Sequence, residues 1–391
     1  MNLNESNILF VSGYAAPYGG NFILLLRSLA VKLQQEYRCR VIFLFPNQPE
    51  KEWLTKLREG FVVRFTYKDY ANSSNEIYEI INEFSVNLVH THFEVYDIPV
   101  AKAVKRCKRD VKMVWHLHDY LTLDKKNLSL AWLRKIKTHL SFYRQYGFWG
   151  KDAYYIGVSA EILQFVSHYR NNLFSYPKPF SMEQVDSIGN ASSSVIINGI
   201  DLSRIEKSNI KPFTRQVPCF LTFGGESYSK GIPTIFKAAE ILNEKGYTFK
   251  IKITEGYSTG KLLSELYPNE LPSWLTVVKQ TDNISSLYRE ADVYISASLR
   301  ETMSMAIAEA SIYGLPIIQS DIPGTMWNSD TPSSFLFKVG DAVELSKRME
   351  EVMNMDTSLL YEWCQESARI NTERLDMNVW CSRIIEVYSS L

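Results

Sequence analysis

Short apolar segments alternate along this chain with segments whose apolar residues recur at helical spacing. The first of them, Asn7 to Ser12, is largely apolar and predicts a buried strand. A turn with adjacent Gly19 and Gly20 follows, and residues 21–36 then carry leucines at the spacing of a helix. A strand, a Gly-rich turn and a helix in this order predict the opening of a Rossmann-like unit.

The same alternation continues to the end of the chain. Further strands are predicted at 41–45, 88–92, 111–117, 155–159, 219–223, 249–254, 277–281 and 293–297, and from 317 onward. Further helices are predicted at 75–85, 98–108, 160–169, 233–245, 284–290, 304–313, 341–354, 356–372 and 377–389. Strands that alternate with helices predict parallel sheets covered by helices. With 391 residues, the chain is therefore predicted to be an α/β protein of two or more domains.

Residues 292–324 form the most informative of these strand–helix–strand segments. A polar turn that contains Glu301 follows the strand, and Glu309 lies on the helix that begins near Ser304. The amides of residues 302–305 at the start of such a helix suit an anion. The spacing of the two carboxylates is also compatible with a helix-cap acid and a solvated helix residue. The pattern alone therefore leaves both interpretations open.

Composition is that of an ordinary globular protein, but the charge is unevenly distributed. The formal net charge is zero, yet residues 101–151 contain 13 Lys and Arg against 3 Asp and Glu. One basic patch on a neutral chain indicates an anionic partner or membrane surface. The five cysteines are scattered without a Cys-x-x-Cys pair, which predicts reduced thiols and no zinc site of the cysteine type. The N-terminus is expected to be a strand, not a signal peptide, and no apolar run has the length of a membrane span.

Residues 291–324 resemble the Glu-x7-Glu signature of retaining nucleotide-sugar glycosyltransferases of family 4, which have the GT-B fold. The resemblance includes Ala291-Asp292, the two glutamates, Gly314 and Pro316, and the segment from Asp321 to Gly324. Other motifs of that family recur with the same order. They are Gly19-Gly20 with Leu29-Ala30, the His-x-His of residues 90–92, His118-Asp119, Val158-Ser159, Asn198-Gly199-Ile200-Asp201, and Gly224 to Gly231.

The resemblance implies a GT-B architecture of two Rossmann-like domains that face each other across a cleft. The N-terminal acceptor-binding domain would comprise residues 1–199, with the helix of residues 375–391 crossing back to it. The nucleotide-sugar-binding domain would comprise residues 200–374. The resemblance further implies a sugar transfer from a nucleotide diphosphate sugar, most commonly a uridine one, to a hydroxyl with retention of anomeric configuration.

The resemblance also assigns roles to residues. Lys230 would place a positive charge on the donor diphosphate, Glu309 would hold the ribose, and Glu301 would hold the transferred sugar. His118, at the end of a strand, would contact that sugar from the other domain. The remaining donor-binding residues would be Gly19, Gly20, Gly224, Gly225, Gln280, Thr281, Arg300, Thr302, Met303, Ser304 and Met305. Gly225 stands where the family has Arg, and Arg300 is a replacement candidate for that cation. We interpret His90, His92 and His116 as structural.

The basic segment from 125 to 151 departs most from the family pattern. Aromatic residues are interleaved there with Arg134, Lys135, Lys137 and Arg144. A basic, aromatic, amphipathic helix can lie on an anionic membrane or hold an anionic acceptor. The alternative is a solvated helix whose aromatic side chains pack into the core. Binding of nucleic acid is not expected, because only this segment has the required chemistry.

Together with the resemblance, these observations predict a metal-independent, cofactor-free enzyme that makes a bacterial surface polysaccharide or glycoconjugate. It would lie in the cytoplasm, either free or peripheral at the inner face of the membrane. The chain contains no Asp-x-Asp pair of the kind that holds a Mg²⁺-bridged diphosphate. Its acceptor would be a glycan, a lipid-linked glycan or a small molecule. Two alternatives remain: a catalytically silent GT-B subunit, which the glycine at 225 motivates, and a GT-B nucleotide-sugar epimerase.

Overall fold

The structure of the protein is a computed structural model that describes residues 1–119, 131–171, 192–205, 217–279, 281 and 284–391. Within these ranges the side chains of residues 131–135, 170, 171 and 204 are not described. The chain forms two compact units. The first comprises Met1–Gly199 and Met377–Leu391, and the second comprises Ile200–Asp376.

The first unit is built on a parallel sheet in the order β3-β2-β1-β4-β5-β6-β7. Its strands are β1 (Asn7–Ser12), β2 (Arg40–Pro46), β3 (Val62–Thr66), β4 (Leu88–His92), β5 (Lys112–Leu117), β6 (Tyr154–Gly157) and β7 (Ser193–Val195). The central strand β1 is buried from Ile8 to Ser12, whereas the edge strand β3 is mostly half-buried. Continuous burial is typical of parallel strands that helices cover on both faces.

Helices connect these strands. They are α1 (Gly20–Tyr37), α2 (Glu52–Arg58), α3 (Ser74–Glu83), α4 (Asp97–Arg106), α5 (Ala131–Phe142) and α6 (Ala160–Asn171). A π-helical segment, Tyr143–Trp149, continues α5. Of the leucines whose helical spacing predicts this helix, Leu25, Leu29 and Leu33 are buried and Leu24 is half-buried. Leu26, which was not among them, is buried as well. The apolar face of α1 therefore packs into the core of the first unit.

The second unit repeats the architecture with a parallel sheet in the order β10-β9-β8-β11-β12-β13. Its strands are β8 (Cys219–Phe223), β9 (Lys250–Thr254), β10 (Leu275–Val278), β11 (Val293–Ser296), β12 (Ile317–Ser320) and β13 (Ser334–Phe337). Its helices are α7 (Ile232–Glu244), α8 (Thr259–Leu266), α9 (Ile284–Arg289), α10 (Met305–Ile312), α11 (Ala342–Asn354) and α12 (Thr357–Arg374). Two parallel sheets with helices confirm the predicted α/β class.

Each sheet has one point at which the strand order changes direction. It lies between β1 and β4 in the first unit and between β8 and β11 in the second. The loops after the two adjacent strands diverge at such a point and leave a crevice, which is where open α/β sheets bind ligands. The Gly-rich turns after β1 and β8 both lie there.

The last helix, α13 (Met377–Ser390), belongs to the first unit. Trp380, Cys381, Ile384 and Tyr388 of this helix are buried in the same apolar cluster as α1 and β1. A Cβ on Gly199 would lie 2.9 Å from the Cβ of Trp380, so the chain passes this side chain closely. The final helix therefore completes the core of the first unit.

Several elements were not predicted from the sequence. The helices α2 and α8 and the strands β3, β7 and β13 were missing from the prediction, and α5 ends in a π-helical turn that no pattern indicated. The Pro- and Ser-rich sequence of residues 174–194 predicts a loop, and most of this segment lies outside the described residues. None of the helices in the described parts of the chain combines the length and apolarity that a membrane crossing demands.

We expect Trp380→Ala to reduce the free energy of unfolding of the first unit by about 3–5 kcal/mol, because it leaves a cavity in the core that α13 shares with α1. Urea unfolding monitored by far-ultraviolet circular dichroism measures this change. Val379→Ala is the matched control, because Val379 lies on the same helix and is 36% exposed. Equal unfolding midpoints for the two variants would show that α13 does not stabilise the unit.

Candidate active site

The second unit brings two loops together at the switch point of its sheet. One loop, residues 224–231, follows β8, and the other, residues 297–304, follows β11. The amide of Leu299 donates a 2.8 Å hydrogen bond to the carbonyl oxygen of Ser229, which ties the two loops directly. The two loops therefore border the crevice and are held to each other by a backbone hydrogen bond.

Glycines allow the close approach of these backbones. A Cβ on Gly231 would lie 1.9 Å from the carbonyl oxygen of Ala297, and the φ of Gly231 is +67°. A Cβ on Gly324 would lie 2.0 Å from the carbonyl oxygen of Glu301. A larger residue at either position would push the loops apart. The Gly-rich motif is thus required by packing, whatever it binds.

Lys230 and Glu301 form an ion pair across the two loops. The Lys230 ammonium contacts Oε1 of Glu301, and the hydroxyl of Ser298 donates to the same oxygen at 2.8 Å. The Glu301 side chain is 14% exposed and that of Lys230 is 40% exposed. Ser298 therefore anchors the carboxylate, whereas the lysine reaches it from the solvent side. The geometry places a largely buried negative charge beside a more exposed positive charge.

The helix α10 begins one residue later than predicted. Ser304 is its N-cap, and the hydroxyl of Ser304 accepts a hydrogen bond from the amide of Ile307 at 3.4 Å. The amide of Ser304 donates to the carbonyl oxygen of Gly324 at 3.3 Å. The anion site predicted at the amides of 302–305 therefore lacks that of Ser304. Met305 and Ala306 begin the helix, where backbone amides have no acceptor within the helix.

Glu309 lies one turn into α10, and a buried tyrosine holds it. The hydroxyl of Tyr288 donates to Oε2 of Glu309 at 2.9 Å. Burial, with the negative charge of Glu309 nearby, raises the pKa of Tyr288 well above its ordinary value, so the phenol stays protonated. Tyr288 was not among the predicted site residues, because a single tyrosine on a short helix carries no recognisable signal. Its position shows that it orients Glu309.

The other predicted donor-binding residues differ widely in exposure. Gly225 has a φ of +44°, a left-handed conformation that an arginine adopts only with strain. The glycine that replaces the family's arginine therefore belongs to a backbone shaped for glycine. Arg300 is exposed beside Glu301, Thr302 is half-buried, and Met303 is buried. Thr281 is exposed, and Gln280 lies outside the described residues.

In the first unit, the predicted residues lie at the ends of β1 and β5. Gly19 caps α1, and Gly20, with a φ of +54°, is its first residue. His118 follows β5 and packs against the rings of Phe22 and Phe93, with centroids 5.6 Å and 4.9 Å away. Burial lowers the pKa of His118 to about 3, so the imidazole is neutral at physiological pH. It can exchange hydrogen bonds but carries no charge.

An acidic side chain that the sequence analysis missed lies close enough to Asp119 to interact with its charge. Glu94 follows β4, and its Oε2 is buried and has no hydrogen-bond partner among the described residues. Burial, together with the charge of Asp119, raises the pKa of Glu94 to about 7. The preceding Phe93 has a φ of +60°, a strained conformation of the kind that clusters at functional sites. That strain is visible only in the structure.

The predicted basic patch combines cations with exposed apolar side chains. Lys137 and Arg144 are exposed, and so are Ile136 and Leu140, which follow one another by one turn of α5. The ammonium of Lys105 on α4 lies 4.6 Å and 4.8 Å from the rings of Trp149 and Phe148. Phe142 and Tyr146 instead pack into the core. The side chains of Arg134 and Lys135 lie outside the described part of α5.

The second unit also carries a recognisable sequence family. Residues 218–355 match the family model described as "Glycosyl transferases group 1". The capsular polysaccharide biosynthesis glycosyltransferase CapM of Staphylococcus aureus is 25% identical over 162 residues, which cover 40% of this chain and 40% of that protein. The match thus spans about two fifths of the length of this curated relative.

Solved structures match nearly the whole chain. A glycosyltransferase of Rickettsia africae superposes with a TM-score of 0.74 at 18% identity and covers 98% of both chains. The HepE protein of Anabaena, solved in complex with UDP and glucose, superposes with a TM-score of 0.70 at 16% identity and covers 98% of this chain and 99% of its own. At sequence identities this low, the superpositions establish the fold of the chain and nothing finer.

These similarities confirm the resemblance that the Glu-x7-Glu segment indicated. The matched residues include both loops of the crevice, Lys230, Glu301 and Glu309. The chain therefore has the GT-B fold, and its residues 218–355 match the group 1 glycosyl transferases.

Proposed function

We propose that this protein transfers a sugar from a nucleotide diphosphate sugar of the uridine class to an acceptor hydroxyl, with retention of anomeric configuration and without a catalytic metal ion. A bacterial surface polysaccharide or glycoconjugate is the proposed product. The observation that carries this proposal is the Lys230–Glu301 ion pair at the switch point, with Glu309 on the adjoining helix. The named relatives support the product class and the UDP donor.

In this proposal, the donor diphosphate competes with Glu301 for Lys230. The lysine is the more exposed partner, so it can turn toward a diphosphate that enters the crevice. The carboxylate, held by Ser298, then stays in place beside the sugar. A phosphate oxygen paired with an ammonium is a strong charge-assisted contact. The same lysine thus stabilises the bound donor and the negative charge that develops on the leaving diphosphate.

The transfer breaks the bond between the anomeric carbon and the diphosphate oxygen, and it forms a bond from that carbon to the acceptor oxygen on the same face. The leaving phosphate oxygen takes the acceptor proton. Positive charge develops at the anomeric carbon, and the Glu301 carboxylate stabilises it. Glu309, oriented by Tyr288, accepts hydrogen bonds from the ribose hydroxyls. The neutral His118 imidazole is proposed to hydrogen-bond the transferred sugar.

The basic patch is proposed to hold an anionic acceptor or the membrane that carries it, at the inner face of the cell membrane. Its exposed Ile136 and Leu140 supply apolar contact, and Lys137, Arg144 and Lys105 supply attraction to anionic headgroups. Apolar side chains flanked by cations are typical of helices that lie in a membrane interface. Phe142 and Tyr146 are buried, so the contact surface consists of the cations, these two aliphatic side chains and Phe148, which is 53% exposed.

Lys230→Met and Glu301→Gln should separate donor binding from transfer. We expect Lys230→Met to weaken UDP-sugar binding by about 1–3 kcal/mol, because a charged contact is lost. We expect Glu301→Gln to leave the affinity for UDP nearly unchanged and to slow release of UDP from the donor by about 100-fold. Calorimetry measures affinity, and a coupled assay for UDP, with water as the surrogate acceptor, measures turnover.

Lys237→Met is the control for this pair, because Lys237 is exposed on α7. If the wild-type protein binds no nucleotide sugar, the chain is instead a silent GT-B subunit, as the glycine at 225 allows. Release of a free sugar whose C2 configuration is inverted relative to the donor sugar would favour an epimerase, because hydrolysis by a transferase releases the donor's own sugar.

We expect Glu309→Gln to reduce the preference for UDP over 2′-deoxy-UDP to within about twofold, because an amide replaces one of the two carboxylate acceptors that hold the ribose. Tyr288→Phe should reduce the same preference partly, since Glu309 loses the hydrogen bond that orients it. Competition calorimetry with the two nucleotides gives the ratio directly. An unchanged ratio in both variants would place the ribose elsewhere.

We expect the double variant Ile136→Ser, Leu140→Ser and the double variant Lys137→Ser, Arg144→Ser each to reduce sedimentation with vesicles of phosphatidylglycerol. The difference in sedimentation between the wild-type protein and the second double variant should shrink as salt is added, because salt screens the attraction between the cations and the vesicle. The effect of the first double variant should not depend on salt. Leu266→Ser is the control, as Leu266 is 44% exposed in the second unit. Equal sedimentation of all variants argues against the membrane surface and leaves a soluble anionic acceptor.

A further inference from the structure

Four histidines converge at the carboxyl ends of two neighbouring strands in the first unit. His90 and His92 lie on β4, His116 lies on β5, and His118 follows β5. Side chains two residues apart point to the same face of a sheet, and the register pairs His92 with His116. All four imidazoles therefore lie on one face. The first three are buried, with 1% exposure or less.

The buried nitrogens of this cluster are poorly satisfied. Nε2 of His90, Nε2 of His92 and both ring nitrogens of His116 have no hydrogen-bond partner among the described residues. An unsatisfied buried polar group costs about 1–3 kcal/mol. Nitrogens of the three side chains lie within 4.8 Å of one another. Each of the three imidazoles thus has at least one nitrogen available for a common ligand.

Two of the rings already have the outer contacts that orient metal-binding histidines. Nδ1 of His90 lies 2.5 Å from the hydroxyl of Tyr388, and Nδ1 of His92 lies 2.9 Å from Nε2 of His118. When each Nδ1 carries the proton, each Nε2 presents a lone pair inward. Metal-bound histidines characteristically donate their second ring N–H in this way.

We propose that His90, His92 and His116 form a binding site for a zinc-like divalent transition metal ion. Imidazole nitrogen selects zinc, cobalt, nickel or copper over magnesium and calcium. Zinc–nitrogen bonds of about 2.0–2.1 Å require the nitrogens to approach to about 3.4 Å in a tetrahedral site. Rotation about χ2, a broad torsion in histidine, can bring the rings closer.

The surroundings of the cluster suit a buried ion with three protein ligands and a fourth position left for another ligand. Phe10 and Trp380 flank the rings, with centroids 5.8 Å from His90 and 6.2 Å from His116, respectively. Burial, reinforced by the neighbouring imidazoles, keeps the pKa of His90, His92 and His116 well below the ordinary value. Neutral imidazole is the form that binds a metal. The ion would join β4, β5 and, through Tyr388, α13.

The same ion would fix the orientation of His92 and, through it, of His118. The metal site does not depend on the proposed sugar transfer, because binding is measured without a nucleotide sugar. The sequence analysis interpreted His90, His92 and His116 as structural, and the strand register shows that they lie together.

Titration of the metal-stripped, full-length protein with Co²⁺ tests the proposal. We expect one equivalent to bind with the visible absorption of a low-coordinate cobalt ion, and we expect it to raise the thermal unfolding midpoint. Bound zinc measured by mass spectrometry in protein purified without chelators should approach one per chain. His116→Gln should abolish the absorption, and Tyr388→Phe should weaken binding by about 10–100-fold, because an outer contact is lost.

His168→Gln is the matched control, because His168 is a half-buried histidine of the same unit outside the cluster. It should bind Co²⁺ like the wild-type protein. If circular dichroism shows that His116→Gln is unfolded, His92→Gln and Tyr388→Phe decide the outcome. Absence of saturable binding to the wild-type protein would overturn the proposal. So would binding that the cluster variants and the control variant share equally.

Discussion

Parallel strand pairing is the constraint on which the rest of this structure depends. Because every strand in a sheet runs in the same direction, the loops that carry polar residues emerge at one edge. The change of strand order between β8 and β11 then separates two of these loops and leaves room for a ligand. Lys230 and Glu301 are 71 residues apart in the chain and meet only because of this topology.

The two units use the same edge for different chemistry. In the second unit, glycines let backbones approach closely, and an ion pair with a capped helix lines the crevice. In the first unit, the strand ends carry imidazoles, a strained Phe93 and the buried carboxyl of Glu94. The charged residues of the second unit suit a phosphorylated ligand. The neutral histidines of the first unit suit hydrogen bonding or a metal ion.

The sequence predicted those parts of the fold and site that have a strong local pattern. Fully buried strands such as β1 and β11 are continuous apolar runs, and α1 and α10 have clear turn or cap residues. The strand β3 contains Arg64 and is half-buried, and β13 has only four residues, so neither shows a strand pattern. Tyr288 hydrogen-bonds Glu309, 21 positions along the chain, and Ser298 hydrogen-bonds Glu301, 3 positions along. Only the folded chain reveals these contacts.

The position of α13 has a consequence for synthesis of the protein on the ribosome. Domains generally fold in order of emergence, the N-terminal one first. Here the core of the N-terminal unit includes Trp380 and Tyr388, which are translated after the entire second unit. The second unit can therefore fold while the first still exposes part of its apolar core. Chaperone dependence during translation should accordingly concentrate on the segment that is made first.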